Sequence, residues 1–169
     1  MTSPSATLVP SFNVASPDCA EGFYAGLHAR CVGLHHAATP ADLRNLLERH
    51  RDGAVQPATL DLIGHSTRHH HLLRLGGTPI DLLNPAVARF FRTVARDGLL
   101  DAGKIVAVRL LGCETAVTEA GQRTLRMLAQ ILRLPAYGTR VPLLKSHSNE
   151  AGFNPVFSHL LVEAAHLGP

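Results

Sequence analysis

Four histidines, His65, His69, His70 and His71, crowd around Ser66 directly after an apolar run that ends at Ile63. A second apolar run ends further on at Gly112-Cys113-Glu114-Thr115. Imidazole, hydroxyl and thiol groups so placed offer three chemistries: metal ligation, a serine nucleophile, or a thiol nucleophile with a histidine partner. The metal reading is poor. Structural zinc sites use paired Cys or Cys/His ligands at short spacings, and here each cysteine stands alone. His65 and His69 would need a helix to share a face, and there is no H-E-x-x-H. No metal or other cofactor is expected, and His69, His70 and His71 read as solvated loop residues. The serine reading rests on Leu62-Ile-Gly-His-Ser66, which approaches the nucleophile elbow G-x-S-x-G, but Arg68 stands at the final glycine. The elbow must also lead into a helix, and Asp97 or Asp101 with His147 or His159 would have to complete the triad. In the third reading His65 is the acid or base and Cys113 the nucleophile. A buried, inert thiol at a strand end is the opposing reading of Cys113. The residues alone leave these two open.

The elements that must position these groups alternate. Residues 7–14 read as a first strand, with Pro10 toward one end. Ser16-Pro17-Asp18 has the form of a helix start, with Phe23, Leu27 and Cys31 on the apolar face. Residues 32–37 form a short second strand. Thr39-Pro40-Ala41-Asp42 resembles a capping box before the stripe Leu43, Leu46 and Leu47. Ala58–Ile63 is a third strand, and residues 72–80, with Gly76-Gly77 inside, a small hairpin. Pro85–Arg96 reads as a helix with Val87, Phe90, Phe91 and Val94 inward. Ile105–Leu111 is a nearly continuous apolar run, suited to the centre of a parallel sheet. A helix over 119–133 carries Leu125, Leu128, Ala129 and Leu132 on one face. Residues 135–143 contain a fifth strand, 145–153 a solvated polar connection, and Asn154-Pro155 caps a last helix bearing Phe157, Leu160, Leu161 and Ala164. Strands alternating with helices predict an α/β domain with a mostly parallel sheet, in which sites form at the carboxyl ends of strands. His65 and Cys113 both fall there.

The 169 residues fit one domain, residues 1–169, able to bury about two thirds of the unfolded surface. Apolar residues make up 46% and charged residues 17%, a globular balance. The formal charge of +3 is spread along the chain, aromatics are 5% and Trp is absent, so no nucleic-acid footprint is expected. Met1-Thr-Ser-Pro-Ser-Ala-Thr-Leu8 lacks the basic and apolar regions of a signal peptide, and no apolar run reaches membrane length. Three cysteines, Cys19, Cys31 and Cys113, cannot all pair within the chain. A reduced, cytoplasmic, soluble protein with free thiols is the expectation.

Several stretches taken together resemble the caspase-like (clan CD) cysteine peptidases, most closely bacterial members of the CHAT type. They are Leu60-Asp-Leu-Ile-Gly-His-Ser66, Leu72-Leu-Arg-Leu-Gly-Gly77, Val108-Arg-Leu-Leu-Gly-Cys-Glu-Thr-Ala116, the helical run that follows from Glu119, and Ala136-Tyr-Gly-Thr139. The histidine precedes the cysteine by about fifty positions, as in caspases. The resemblance spans about residues 58 to 143. It implies a three-layer caspase-like α/β domain, with a mostly parallel central sheet flanked by helices and a small hairpin after the histidine strand. It further implies an endopeptidase with a His65–Cys113 dyad and an oxyanion hole built from the Ser66 and Cys113 backbone N–H groups. Glu114, Tyr137 and Thr139 are expected beside the substrate cleft, Glu114 chiefly as a brace of its turn. The implied partners are a protein or peptide substrate and a regulatory protein, with no nucleic acid, membrane or cofactor. Two positions depart from the family pattern: Ser66 stands where Gly is usual, and Gly112 where Ala is usual. The fold also includes catalytically silent scaffolds, so an interaction subunit is the alternative, followed by a serine hydrolase using Ser66.

Overall fold

A computed structural model describes residues 9–19 and 21–168. In chain order the elements are β1 (Ser11–Ala15), α1 (Phe23–Arg30), β2 (His35–His36), α2 (Pro40–Gly53), β3 (Ala58–Ile63), β4 (Arg74–Leu75), β5 (Thr78–Pro79), α3 (Pro85–Arg96) and α4 (Leu99–Ala102). They continue with β6 (Ile105–Leu111), α5 (Glu119–Leu132), β7 (Ala136–Thr139), β8 (Ser148–Asn149), β9 (Gly152–Phe153) and β10 (Leu161–Glu163). Six strands form one sheet in the order β10-β7-β6-β3-β1-β2; all neighbours are parallel except β10, which runs antiparallel to β7. The β4–β5 and β8–β9 hairpins stand apart from it.

Strand alternation divides the side chains between two layers. Phe12, Val14, Leu60, Leu62, Val108 and Leu110 point to one face, where they pack with the apolar stripes of α2, α3, α4 and α5. Ala15, Ile63 and Leu111 point to the other and meet Phe23, Tyr24 and Leu27 of α1, with Leu143 and Phe153. The second layer is thinner: one helix, the β8–β9 hairpin and 3-10 turns replace a full set of helices. It also holds a buried charge pair. Asp61, fully buried, accepts from Arg109 Nε and Nη2, both at 2.6 Å, and the guanidinium lies 5.4 Å from the centre of the Phe153 ring.

Local chemistry explains most boundaries. Thr39 Oγ1 accepts the Asp42 N–H at 3.1 Å, and Pro40 opens α2; the Asp42 carboxylate reaches past Thr39 to the Ala38 N–H, a one-residue variation on a capping box. Asn84 with Pro85, and Thr118, cap α3 and α5 in the same manner. Several expectations are corrected. β1 starts at Ser11, after Pro10; Thr7 and Leu8 of the expected strand lie outside the described residues. The helix signalled at Ser16 begins at Phe23, because Ser16 Oγ is occupied with the Gly76 N–H and the Asp18 carboxylate instead of a helix start. Cys31 falls just past the end of α1, and the second strand shrinks to His35–His36. Asn154 does cap a turn, yet only a 3-10 helix, Pro155–Leu160, follows before the chain extends into β10. Pairing of Leu161–Glu163 with β7 takes the backbone groups a last helix would have used. Among the described residues, no helix is long and apolar enough to cross a membrane.

Candidate active site

β3 and β6 pair in parallel with Leu62 opposite Leu110 and Ile63 opposite Leu111. Each strand then runs through a glycine, to His65 in one case and to Cys113 in the other. Imidazole and thiol therefore leave the same sheet edge on neighbouring strands. Gly64 is sterically required, since a Cβ there would lie 2.1 Å from the Arg74 carbonyl oxygen; a Cβ on Gly112 would lie 2.7 Å from a side-chain atom, Ser66 Oγ.

His65 is partly exposed, with its ring edge-on to Tyr24, centroids 4.7 Å apart at 70°. Tyr24 is a buried residue of α1 whose hydroxyl donates to the Gly64 carbonyl. Burial first, then the thiols of Cys113 and Cys19 and the Asp18 carboxylate, push its phenol up, so the group remains a donor. The turn after β1 completes this side. Asp18 stands 3.3 Å from Arg74, and the Ser16 hydrogen bond, then Arg74, hold its carboxyl below the ordinary range. Cys19 is buried and burial pushes its thiol up to about 11. Burial also raises the partly exposed Cys31. All three thiols are free.

Cys113 is partly exposed, and its sulfur accepts the Leu143 N–H at 3.4 Å. The peptide groups on both sides of it are held. The Thr139 hydroxyl donates to the Gly112 carbonyl, and in a trans peptide this points the Cys113 N–H the opposite way. Ser66 Oγ donates to the Cys113 carbonyl at 2.7 Å, while the other end of that peptide, the Glu114 N–H, donates to Val141 O at 3.3 Å. Glu114 has φ 58°, which turns the chain toward α5, and its carboxylate lies 3.3 Å from His71 Nδ1.

Among the described residues, the N–H groups of Ser66 and Cys113 donate to no protein acceptor. Bonds from Arg74 N to His65 O and from Thr67 N to Leu72 O flank Ser66 in its antiparallel bridge with Leu73. That pattern turns the Ser66 N–H away from the hairpin, toward the side on which the Gly64 N–H meets Leu111 O. An acyl-transfer centre needs such donors where an oxyanion develops.

The structure redistributes the residues expected around the cleft. Glu114 is at the edge, engaged with His71, which is consequently more than a solvated loop residue; His69 and His70 are exposed. Thr139 is 0% exposed and cannot line a cleft: it lies behind the Cys113 loop. Tyr137 pairs with Arg109 at mid-strand, two residues short of the end of β7, and so stands away from the edge. Residues 145–153 pack onto α1 and β1, through Arg30 to Lys145 O and Ser148 O and through Asn13 to Ala151 O. The segment against Cys113 is instead Val141 and Leu143. Tyr24 and Cys19 join the site without any motif to announce them, and Asp18, in the expected helix start, joins it too. Among the described residues no three His, Cys, Asp or Glu side chains gather as a metal-binding group. A cavity of about 610 Å³, lined by Ser11, Thr59, Arg109 and Phe153 among others, opens on the α1 side, with none of its lining at the His65–Cys113 edge. No family model, curated protein or solved structure matches the chain.

Proposed function

We propose that the chain is a caspase-like cysteine endopeptidase in which Cys113 is the nucleophile and His65 its acid–base partner. The observation that carries this reading is the β3–β6 register, which delivers an imidazole and a partly exposed thiol to one edge of adjacent parallel strands. In the proposed reaction the Cys113 thiolate adds to a peptide carbonyl, and the oxyanion is held by the N–H groups of Ser66 and Cys113. Collapse forms a thioester and breaks the C–N bond as His65 protonates the departing amine. Water, deprotonated by His65, then hydrolyses the thioester and frees the thiol. Protein or peptide is the substrate class.

Two features support Cys113 as the reactive thiol. Burial pushes Cys19 and Cys31 toward their neutral, unreactive forms, and Cys19 is also inaccessible. A serine hydrolase is disfavoured, because Ser66 Oγ is committed to the Cys113 carbonyl and strand β4, not a helix, follows. The test is site-resolved alkylation by a thiol-directed electrophile together with peptide hydrolysis. Cys113 is expected to label ahead of Cys19 and Cys31, and His65→Ala to slow both labelling and hydrolysis, the latter by on the order of 100-fold or more. Equal labelling of all three thiols, indifferent to His65→Ala, would favour a silent scaffold. Hydrolysis that survives Cys113→Ala but not Ser66→Ala would restore the serine alternative.

A further inference from the structure

Ser66 and Gly112 occupy each other's space. The hydroxyl of Ser66 crosses from the histidine loop to the cysteine loop and donates to the Cys113 carbonyl at 2.7 Å. It fits there only because position 112 has no side chain: a Cβ on Gly112 would fall 2.7 Å from Ser66 Oγ. Its next neighbours, Gly64 O and Leu73 Cδ1, would be at 3.0 Å, a crowding that shifts of a few tenths of an ångström relieve. The two departures from the resembled pattern, Ser for Gly and Gly for Ala, thus form a single exchange. The methyl group is lost from one loop and a hydroxymethyl gained on the other fills its place.

We infer that Ser66 is a positioning residue, latching the histidine loop to the cysteine loop and fixing the peptide plane after Cys113. That plane is held at both ends, by Ser66 at its carbonyl and by Val141 O at its Glu114 N–H. The plane before Cys113 is held by Thr139 at the Gly112 carbonyl. With both planes fixed, the Cys113 backbone angles are fixed, and with them the direction of the thiol and of its N–H. Removal of the hydroxyl releases one end of that plane, leaving only the Glu114 N–H bond to Val141 O, and the left-handed turn at Glu114 (φ 58°), which an L-residue adopts reluctantly, gains a route to relax. The Ser66 hydroxyl acts through Cys113, apart from the part its backbone N–H takes in the proposed oxyanion hole.

This inference rests on Cys113 being the reactive thiol. The test compares four full-length proteins: the parent, Ser66→Gly, Gly112→Ala, and the double variant that recreates the Gly/Ala pair. Three readouts are taken: the alkylation rate of Cys113 by iodoacetamide, assigned by mass spectrometry, its pH profile, and the melting temperature. Ser66→Gly is expected to slow Cys113 alkylation roughly tenfold and shift its pH profile. Cys31 alkylation in the same sample, a gauge of general loosening, stays constant. Gly112→Ala alone is expected to be the slowest, and adding Ser66→Gly to recover most of its loss. Ser66→Ala, which keeps the Cβ and the backbone preference, should match Ser66→Gly and serves if a glycine variant fails to fold. Unchanged Cys113 alkylation in both Ser66 variants would overturn the inference, as would losses that multiply in the double variant. Indifference of the parent's Cys113 to His65→Ala would instead overturn the proposed reaction, while the 66–112 coupling is read independently from the four proteins.

Discussion

Thr139 is fully buried, its hydroxyl out of a substrate's reach, yet its hydrogen bonds brace the cysteine loop. Its hydroxyl donates to the Gly112 carbonyl and accepts from the Thr115 N–H at 3.2 Å, and its own N–H donates to Thr115 Oγ1 at 2.9 Å. Thr115 Oγ1 in turn donates to Leu110 O at 2.9 Å. Thr139→Val keeps the shape and leaves the Gly112 carbonyl and the Thr115 N–H unmet, at a cost of about 1–3 kcal/mol. Thermal or denaturant unfolding should register that loss, with slower Cys113 alkylation beside it; a variant with parent stability would remove Thr139 from the brace. The contrast with His65 shows what a sequence reveals at this scale. His65 and Cys113 announce themselves by type, at the ends of two apolar runs. Thr139 is a cleft residue only by the resemblance, and its orientation depends on how β7 registers against β6. Tyr24 carried no sign at all, since its contact with His65 exists only once α1 is laid across the sheet.

Among the elements, legibility followed how local the cause was. Ala58–Ile63, Pro85–Arg96 and Ile105–Leu111 have the bounds their apolar periods and caps predict. The last segment does not, because Asn154-Pro155 is a valid start signal for either a helix or a single turn, and pairing with β7 decides between them. The edge strand β2 hides a different property. His36 stacks on His28 of α1, centroids 5.1 Å apart, while Phe12 lies between His35 at 5.0 Å and His50 at 4.2 Å. Both rings are exposed at the sheet edge; the partial desolvation their neighbours impose, then Arg49, His50 and His36, lower His35, and partial desolvation, then His28, lower His36. The folded chain therefore favours the neutral imidazoles, and the unfolded chain binds more protons. This contribution is complete above the ordinary histidine value of about 6.5 and is lost as pH falls through the lower folded values. Melting temperature should drop between about pH 7 and pH 5, and the drop should be shallower in a His35→Phe, His36→Gln variant. Equal slopes in the two proteins would exonerate β2 as the acid-sensitive element.

At the scale of the whole molecule, the two halves of the site come from distant chain segments, joined by the β3–β6 ladder and by the loop contacts Ser66–Cys113 and His71–Glu114. His65 follows β3 and Cys113 follows β6, and between them the chain leaves the sheet, forms the β4–β5 hairpin and passes over α3 and α4. Between them lies Leu83-Asn84, exposed, with Leu83 at 52% of its accessible surface. A break at that bond would place the imidazole on one fragment and the thiol on the other. The seam joining the fragments would be the β3–β6 ladder, with the Asp61–Arg109 pair inside it as a registration mark: a one-residue slip would strand a buried charge, at about 3–5 kcal/mol. Neither fragment could complete the helix-covered core alone, since Leu60 and Leu62 belong to one and Val108, Leu110 and Leu128 to the other. Co-expressed as residues 1–83 and 84–169, the pieces should reconstitute Cys113 labelling that fades on dilution. Labelling of the second fragment by itself at the parent rate would disprove the dependence. The molecule is in this sense a split reporter already folded into one chain, whose output is the meeting of its own two parts.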